Sequence, residues 1–421
     1  MTLIERQLQD ARPGDLGANT AERAEEAAAR PLPPIDLSPA ALAAVTAKLA
    51  ETAAEYDRTA EFPWAGIQVV HDAGLLRLGI GETYGGTKVS STEFARVFQA
   101  LGEGDPSVAL LTAMTVFQHA FQAQAVAATG DGEKGLWPDA LYRRLVAESL
   151  ERPTLVNAIR AEPELGAPAR GGLPATRVER TETGWRLNGH KGFGTGSEGL
   201  AYHAVWAATD DEDPLIGHVI VPAGTPGIQI IETWDHLGLR ATSTHDIVYT
   251  NVEVPFDNFR GVPVSQAPSE KGGAGGLSLS ISALYLGIAR AAQKFFTTFA
   301  NERIPSSLGR PIATTERIQS IAGEIEAHLV QAEEVLYGLA GRIDAGDADA
   351  LQRSLLAKLI ITRSAITAVQ TAVAALGNPG LTRNNPLERH LRNVLCSRVH
   401  PPQDDAALVI AGKRVLSSYG A

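Results

Sequence analysis

The texture of this sequence changes twice, and the order of those changes limits what the chain can fold into. From about residue 38 to residue 150 the apolar residues recur at helical spacing. Leu42, Val45 and Leu49 share one face, and Val108 to Ala128 reads as another strong helix. Ser38-Pro39 opens the first of these helices, Ser being a good N-cap and Pro a good first helical residue. Around Pro153, Gly and Pro become frequent, at Gly166, Pro168, Gly171, Gly172 and Pro174. Short β-type runs then alternate with turns: Trp185 to Leu187 before Asn188-Gly189, Ala204 to Trp206 before an acidic turn, His218 to Val221, Ile247 to Thr250, and Val252 to Val254 before Pro255. Strands this short and this closely spaced predict a small all-β barrel or sandwich. A Pro-, Ser- and Gly-rich linker follows, and the helical period then returns to the end.

The expected organisation is a flexible leader at 1–36, an N-terminal helical domain at 37–150 and a middle β domain at 151–262. A linker at 263–276 leads into a C-terminal helical bundle at 277–421. Its long helices are expected at 277–301, 315–345 and 350–376, with a last one at about 404–418. The fold class is α+β.

Charge and cysteine usage narrow the partners. A net charge of −11 argues against nucleic acid or an anionic membrane as the main partner, because both need a basic face. The one cysteine, Cys396, cannot form an intrachain disulfide, which fits a reducing cytoplasm. The N-terminus lacks the apolar core of a secretory signal. No apolar run is expected to cross a bilayer; the nearest, Leu277 to Phe296, is interrupted by Ser278, Ser280, Ser282, Arg290 and Gln293 and reads as a core helix.

Several familiar motifs do not survive their context. Gly194-Thr195-Gly196-Ser197-Glu198-Gly199 spells GxGxxG, but the next segment, Tyr202 to Ala208, is β-like, whereas a dinucleotide loop must open a helix. These are read as turn glycines. The ten histidines are dispersed without metal-ligand spacing. No Walker A loop or GxSxG elbow is present. Cys396 stands four residues before His400, and a small buried residue is the better reading of that thiol than a Cys-His pair.

The segments that remain resemble the acyl-CoA dehydrogenases, over about 62–416. Asp72-Ala73-Gly74-Leu75-Leu76 followed by Glu82-Thr83-Tyr84-Gly85-Gly86 is similar to that family's opening helix and loop, and Gly104-Asp105-Pro106-Ser107-Val108-Ala109 to the start of its flavin-side helix. Gly184 to Thr195 resembles the strand–turn–strand leading into the flavin contact, and Trp234 to Pro255 the closing strands. The resemblance implies a bound flavin, a small-molecule substrate and a homotetramer or homodimer. It gives Phe193 the role of an apolar face for the isoalloxazine and Thr195 that of a hydroxyl for its polar rim. A flat plate with a polar edge needs both. The two positions are expected to share a strand face, being two residues apart.

The sequence leaves the family at two places. An acyl-CoA dehydrogenase needs a carboxylate base, which most of the family carries after a Tyr downstream of an Arg-Asp pair. Here the matching segment runs from Arg392-Asn393 to His400-Pro401-Pro402, and Pro401 takes the base's position. The alternative location, at the start of the helix after the β domain, reads Gly276-Leu277-Ser278-Leu279-Ser280. Glu162 or Glu164 is left as a substitute base. The FAD contacts also change. Arg303 stands two residues early, Pro305 occupies the Arg position, Glu316 and Ala374 replace two Gln, and Gly377-Asn378-Pro379-Gly380 departs from a Gly-Gly turn. Each change removes a donor for a pyrophosphate or adds negative charge, so FMN is favoured and FAD is the alternative.

A second branch of the same fold, the reduced-flavin monooxygenases such as the dibenzothiophene monooxygenases, is similar at Arg392-Asn393 and His400-Pro401-Pro402, with a His near the flavin. His400 is therefore the candidate catalytic residue, and His119 a weaker second. The following helix's positive end disfavours an imidazolium at His400, while Asp404 and Asp405 oppose that. The favoured function is monooxygenation of a small aromatic or heteroatom compound, with reduced flavin supplied by a separate reductase. The alternatives are an acyl-CoA dehydrogenase with a relocated base and a flavin-binding module without chemistry.

Overall fold

The computed structural model describes residues 31–130, 135–164, 173–266 and 277–417. The glycines of 166–172, the leader before residue 31 and most of the linker lie outside the described residues. Residues 31–36 do not behave as a loose leader: Leu32 N donates to Gly85 O at 2.8 Å, and Arg77 donates to Pro33 O at 3.4 Å.

The N-terminal part is helical: α1 Pro39–Thr59, α2 Trp64–Asp72, α3 Ser91–Gly104, α4 Pro106–Thr129 and α5 Asp139–Glu151. Each start follows local chemistry. The Ser38 hydroxyl accepts from Ala41 N, and α3 opens with a reciprocal Ser90/Glu93 capping box. Asp105 caps α4 through Ser107 N and Val108 N. Leu42, Val45 and Leu49 are buried as their spacing predicts. Helix α4 is buried nearly all round its first five turns, which makes it the central post of the molecule.

The middle part holds β1 Leu155–Ile159, β2 Arg177–Arg180, β3 Trp185–Gly194, β4 Leu200–Ala208, β5 Leu215–Pro222, β6 Ile228–Ile231, β7 His245–Val254 and β8 Phe259–Pro263. These make one mixed sheet in the order β6-β7-β3-β2-β4-β5-β8, with β1 pairing parallel to β4. Strand β3 ends at Gly194 and β4 begins at Leu200, so the GxGxxG segment is a β-domain turn, as expected.

The C-terminal part comprises α6 Leu277–Glu302, α7 Glu316–Asp344, α8 Ala348–Leu376, the short α9 Asn378–Leu381, α10 Leu387–Leu395 and α11 Asp404–Ser417. Helices α3 and α6 cross closely because glycines line the crossing. A Cβ at Gly102 would stand 2.1 Å from Leu284 O, and one at Gly287 2.1 Å from Gln99 O. This seam joins the N-terminal helices to the bundle. Among the described residues, helix α8, not 277–296, is the segment long and apolar enough to span a bilayer by composition; its apolar face is packed against α7 and α6.

Candidate active site

Strand β3 carries Phe193 near its end and runs into a strained turn that holds Thr195. Phe193 has φ 54°, a conformation rare for a bulky residue, and its side chain is 68% exposed while Thr195 is buried. The pairing with β7 is irregular between Lys191 and Gly194, and Thr195 N bonds back to Phe193 O at 2.9 Å. The expected alternation therefore fails here. Phe193 and Thr195 do not lie on one regular strand face, because the irregularity and the positive φ re-aim Phe193 outward.

A second turn, 239–244, locks the first in place. Ser197 N donates to Ser243 O at 3.0 Å, Gly196 N to Thr242 O at 2.9 Å, and Glu198 N to the Ser243 hydroxyl at 3.2 Å. Leu239 and Ser243 also have positive φ, 52° and 45°. Strained non-glycine residues persist where surrounding bonds over-determine them, and they cluster at functional sites. Three of them meet here.

Thr195 is one end of a hydrogen-bonded line that crosses into the C-terminal bundle. The Thr244 hydroxyl donates to Thr195 Oγ1 at 3.2 Å and lies 2.7 Å from Thr242 Oγ1, and the Thr242 hydroxyl donates to Leu239 O at 2.9 Å. Leu239 N donates to the buried Asn393 Oδ1 at 2.8 Å. Asn393 lies on α10, whose chain continues to His400. Next to it, the Arg392 guanidinium is bidentate to Asp57 of α1 at 2.6 and 3.1 Å and also donates to Leu237 O at 2.9 Å. The Arg392-Asn393 pair is thus a clamp joining three domains. A Cβ at Gly238 would come within 2.4 Å of Arg392 O, so only glycine allows that approach.

The clamp positions the loop 232–240 beside His400. His236, on that loop, stacks flat on Trp234 with ring centroids 4.1 Å apart and planes 5° apart, and its Nδ1 is buried without a partner. His400 Nδ1 makes a short hydrogen bond with the hydroxyl of Tyr285, which is fully buried on α6. Lys358 of α8 is also buried and donates to Ser397 O at 2.7 Å, with Asp404 Oδ1 3.8 Å away. Burial pushes the His400 imidazolium down to about 4, and the Lys358 cation and His236 push in the same direction. Burial and the lysine therefore outweigh the two aspartates expected to hold a charge there. At neutral pH His400 is a neutral imidazole.

The other candidates separate cleanly. Glu162 is no free base: its carboxylate accepts from Lys191 Nζ at 2.7 Å, Ala175 N at 2.6 Å, Thr176 N at 3.0 Å and the Thr176 hydroxyl at 2.7 Å. Although burial alone would raise its pKa, those donors together hold it below the ordinary value, so it is a structural anchor. Glu164 is exposed. His119 is buried in α4, bonded to the Tyr142 hydroxyl at 2.8 Å, and pushed down to about 3 by burial. It reads as a packed core residue. The Cys396 thiol is buried and pushed up to about 11, and its contact is Arg392 O at 3.6 Å rather than His400. Among the described residues no group of His, Cys, Asp and Glu could hold a metal.

The site suits a flavin on two counts. An apolar ring, Phe193, is held outward on a rigid turn, and beside it Thr195 accepts from Thr244 and keeps its own proton for a further acceptor. Sequence reading missed Tyr285, Lys358 and His236. A tyrosine inside an apolar helix and a lysine inside another were the available signals, because buried hydroxyls and ammonium groups require partners.

Family models for the acyl-CoA dehydrogenase N-terminal, middle and C-terminal domains match residues 37–133, 158–252 and 279–402. A Bacillus subtilis (strain 168) protein named "Putative acyl-CoA dehydrogenase YdbM" is 33% identical over 364 residues, covering 85% of this chain and 91% of that protein. Butyryl-CoA dehydrogenase from Megasphaera elsdenii superposes with TM-score 0.77 at 22% identity, covering 91% of this chain and 99% of that one. KijD3 in complex with FMN and dTDP-3-amino-2,3,6-trideoxy-4-keto-3-methyl-D-glucose superposes with TM-score 0.77 at 23% identity, covering 91% and 95%.

Proposed function

The chain belongs to the acyl-CoA dehydrogenase family of flavin-dependent oxidoreductases, and from that premise we propose that it is a reduced-flavin monooxygenase acting on a small aromatic or heteroatom substrate. One observation carries this reading. By the resemblance, Pro401 takes the place of the family's base, and the adjacent ionisable group is His400, a neutral imidazole bonded to Tyr285. Removing an acidic C–H proton needs a positioned base, which in this family is a carboxylate whose pKa is raised by a dry pocket; an imidazole depressed to about 4 is a weak substitute. Neither family position supplies a carboxylate, and Glu162 is already bonded to four donors.

In this reading Phe193 packs against the flavin ring and Thr195 donates to its polar edge. A flavin supplies a hydride acceptor when oxidised and activates dioxygen when reduced. His400 donates a hydrogen bond beside it, and Trp234 with His236 closes the site from the middle domain. FMN is the favoured form because Pro305, Glu316 and Ala374 stand where FAD donors would be; the FMN-bound KijD3 is a neighbour in fold. Reducing equivalents come from a separate flavin reductase, and the working unit is a homodimer or homotetramer. The second reading, an acyl-CoA dehydrogenase with its base elsewhere, is favoured by the name of the Bacillus relative.

The test is direct. Purified protein is loaded with FMN, reduced enzymatically, and given oxygen with a panel of aromatic and amine or thioether substrates; oxygen-dependent product supports the proposal. Anaerobic bleaching of the bound flavin by acyl-CoA thioesters, without oxygen-dependent product, replaces it with the dehydrogenase reading. Neither reaction leaves a binding module.

A further inference from the structure

Tyr285 lies in the first half of α6 with none of its surface exposed, and its hydroxyl meets Nδ1 of His400. Two arrangements of protons can make that bond. In one the phenol donates to Nδ1. In the other Nδ1–H donates to the phenolic oxygen, and the phenolic proton must then find another acceptor. His400 is the only hydrogen-bond partner of the Tyr285 hydroxyl among the described residues, so the second arrangement buries a donor with nothing to receive it. The cost of an unsatisfied buried donor biases the balance roughly tenfold or more toward the first arrangement. Ionisation offers the tyrosine no escape, since burial holds its pKa well above the ordinary value.

We propose that Tyr285 is a positioning residue: it donates to Nδ1 of His400 and so keeps the neutral imidazole protonated on Nε2. The ring edge opposite Tyr285 then carries an N–H. Nε2 has no partner among the described residues and the His400 side chain is only half-buried, so this N–H is left for a bound molecule. His400 is thereby a hydrogen-bond donor and not a base. The chemistry that fits it is a lone pair on oxygen or nitrogen, either of the substrate or of the oxygen being transferred, rather than an acidic C–H. This last step rests on the monooxygenase reading, whereas the tautomer assignment stands without it.

The test uses full-length protein with 15N-labelled histidine and FMN added. The His400 signals are assigned by their loss in His400→Gln, and the tautomer is read from one- and two-bond couplings. The wild type should show the Nε2–H form in at least roughly tenfold excess. In Tyr285→Phe that excess should fall toward the ratio of a free imidazole, and kcat for oxygenation should drop about tenfold with KM and FMN affinity within twofold. An Nδ1–H signal in the wild type overturns the proposal, as does a His400 tautomer unmoved by Tyr285→Phe. Should that variant fail to fold, the wild-type spectrum alone decides. A protein with the Nε2–H form and no oxygenation would sink the functional reading and keep this one. Oxygenation with an Nδ1–H histidine would do the reverse.

Discussion

The two halves of the site are built in opposite ways. The Phe193–Thr195 turn is local: ten residues of β3 and the turn after it bring the aromatic ring and the hydroxyl together, and a neighbouring turn stitches them down. The His400 half is assembled from distant segments. Tyr285 comes from α6, Lys358 from α8, His236 from a β-domain loop, and His400 from the connection after α10. The difference shows in their physics. The first half stores backbone strain and presents an apolar ring outward. The second half buries polar groups and sets their protonation by desolvation and one close cation. A local half can be recognised by pattern, while a dispersed half needs a fold to exist at all.

Substitutions can break or sharpen this contrast, and the largest effect should come from the dispersed half. His400→Ala should lower turnover by about 10²–10³ with FMN still bound, the range for loss of one preorganised hydrogen-bond donor. If turnover were unchanged, His400 would have no part in the chemistry. Next, acid should destabilise the fold through histidines spread over all three regions. His119, His203 and His390 are buried on α4, β4 and α10, and burial depresses them to about 3, 4 and 3. The unfolded chain takes up protons on these groups below about pH 6.5, while the folded chain resists until pH 4 to 3. Their stabilising effect is thus complete above pH 6.5 and lost as pH falls through that window, at about 1.4 kcal/mol per pH unit for each titrating group. Urea midpoints measured between pH 7.5 and 4.5 should fall steadily; a flat profile would show that these histidines are not sealed in.

Asn393→Ala should cost about 1–3 kcal/mol, because Leu239 N–H loses its acceptor inside the seam between domains. Since the same bond links the Thr195 line to α10, this variant should disturb both halves, lowering the melting temperature and turnover together. A loss of stability with unaltered turnover would mean that the two halves act independently. The smallest effect should follow Phe193→Ala. Its ring is already exposed, so the melting temperature should barely move, while FMN affinity should weaken by about tenfold. Equal FMN binding in this variant would remove Phe193 from the cofactor site.

Much of the architecture is legible in the sequence. Apolar spacing placed α1, α4 and the long bundle helices, because burial of one helical face leaves a periodic trace. The residues around Phe193 and Thr195 also carried a local signal, although strand alternation misjudged their orientation, since the irregularity between Lys191 and Gly194 depends on pairing with β7. Glu162 illustrates the other limit. A carboxylate near the right place could be read as a base, and only its four donors show it to be an anchor.

What the chain determined by itself is the succession of helical, β and helical regions and the place of the turn after β3, because both follow from short-range preferences; the outward aim of Phe193 needed the pairing with β7. The protonation state of His400, the role of Tyr285 and the clamp at Arg392 and Asn393 were decided only in three dimensions. Desolvation and hydrogen-bond pairing depend on which distant groups are brought within a few ångströms, and no spacing along the chain encodes that distance.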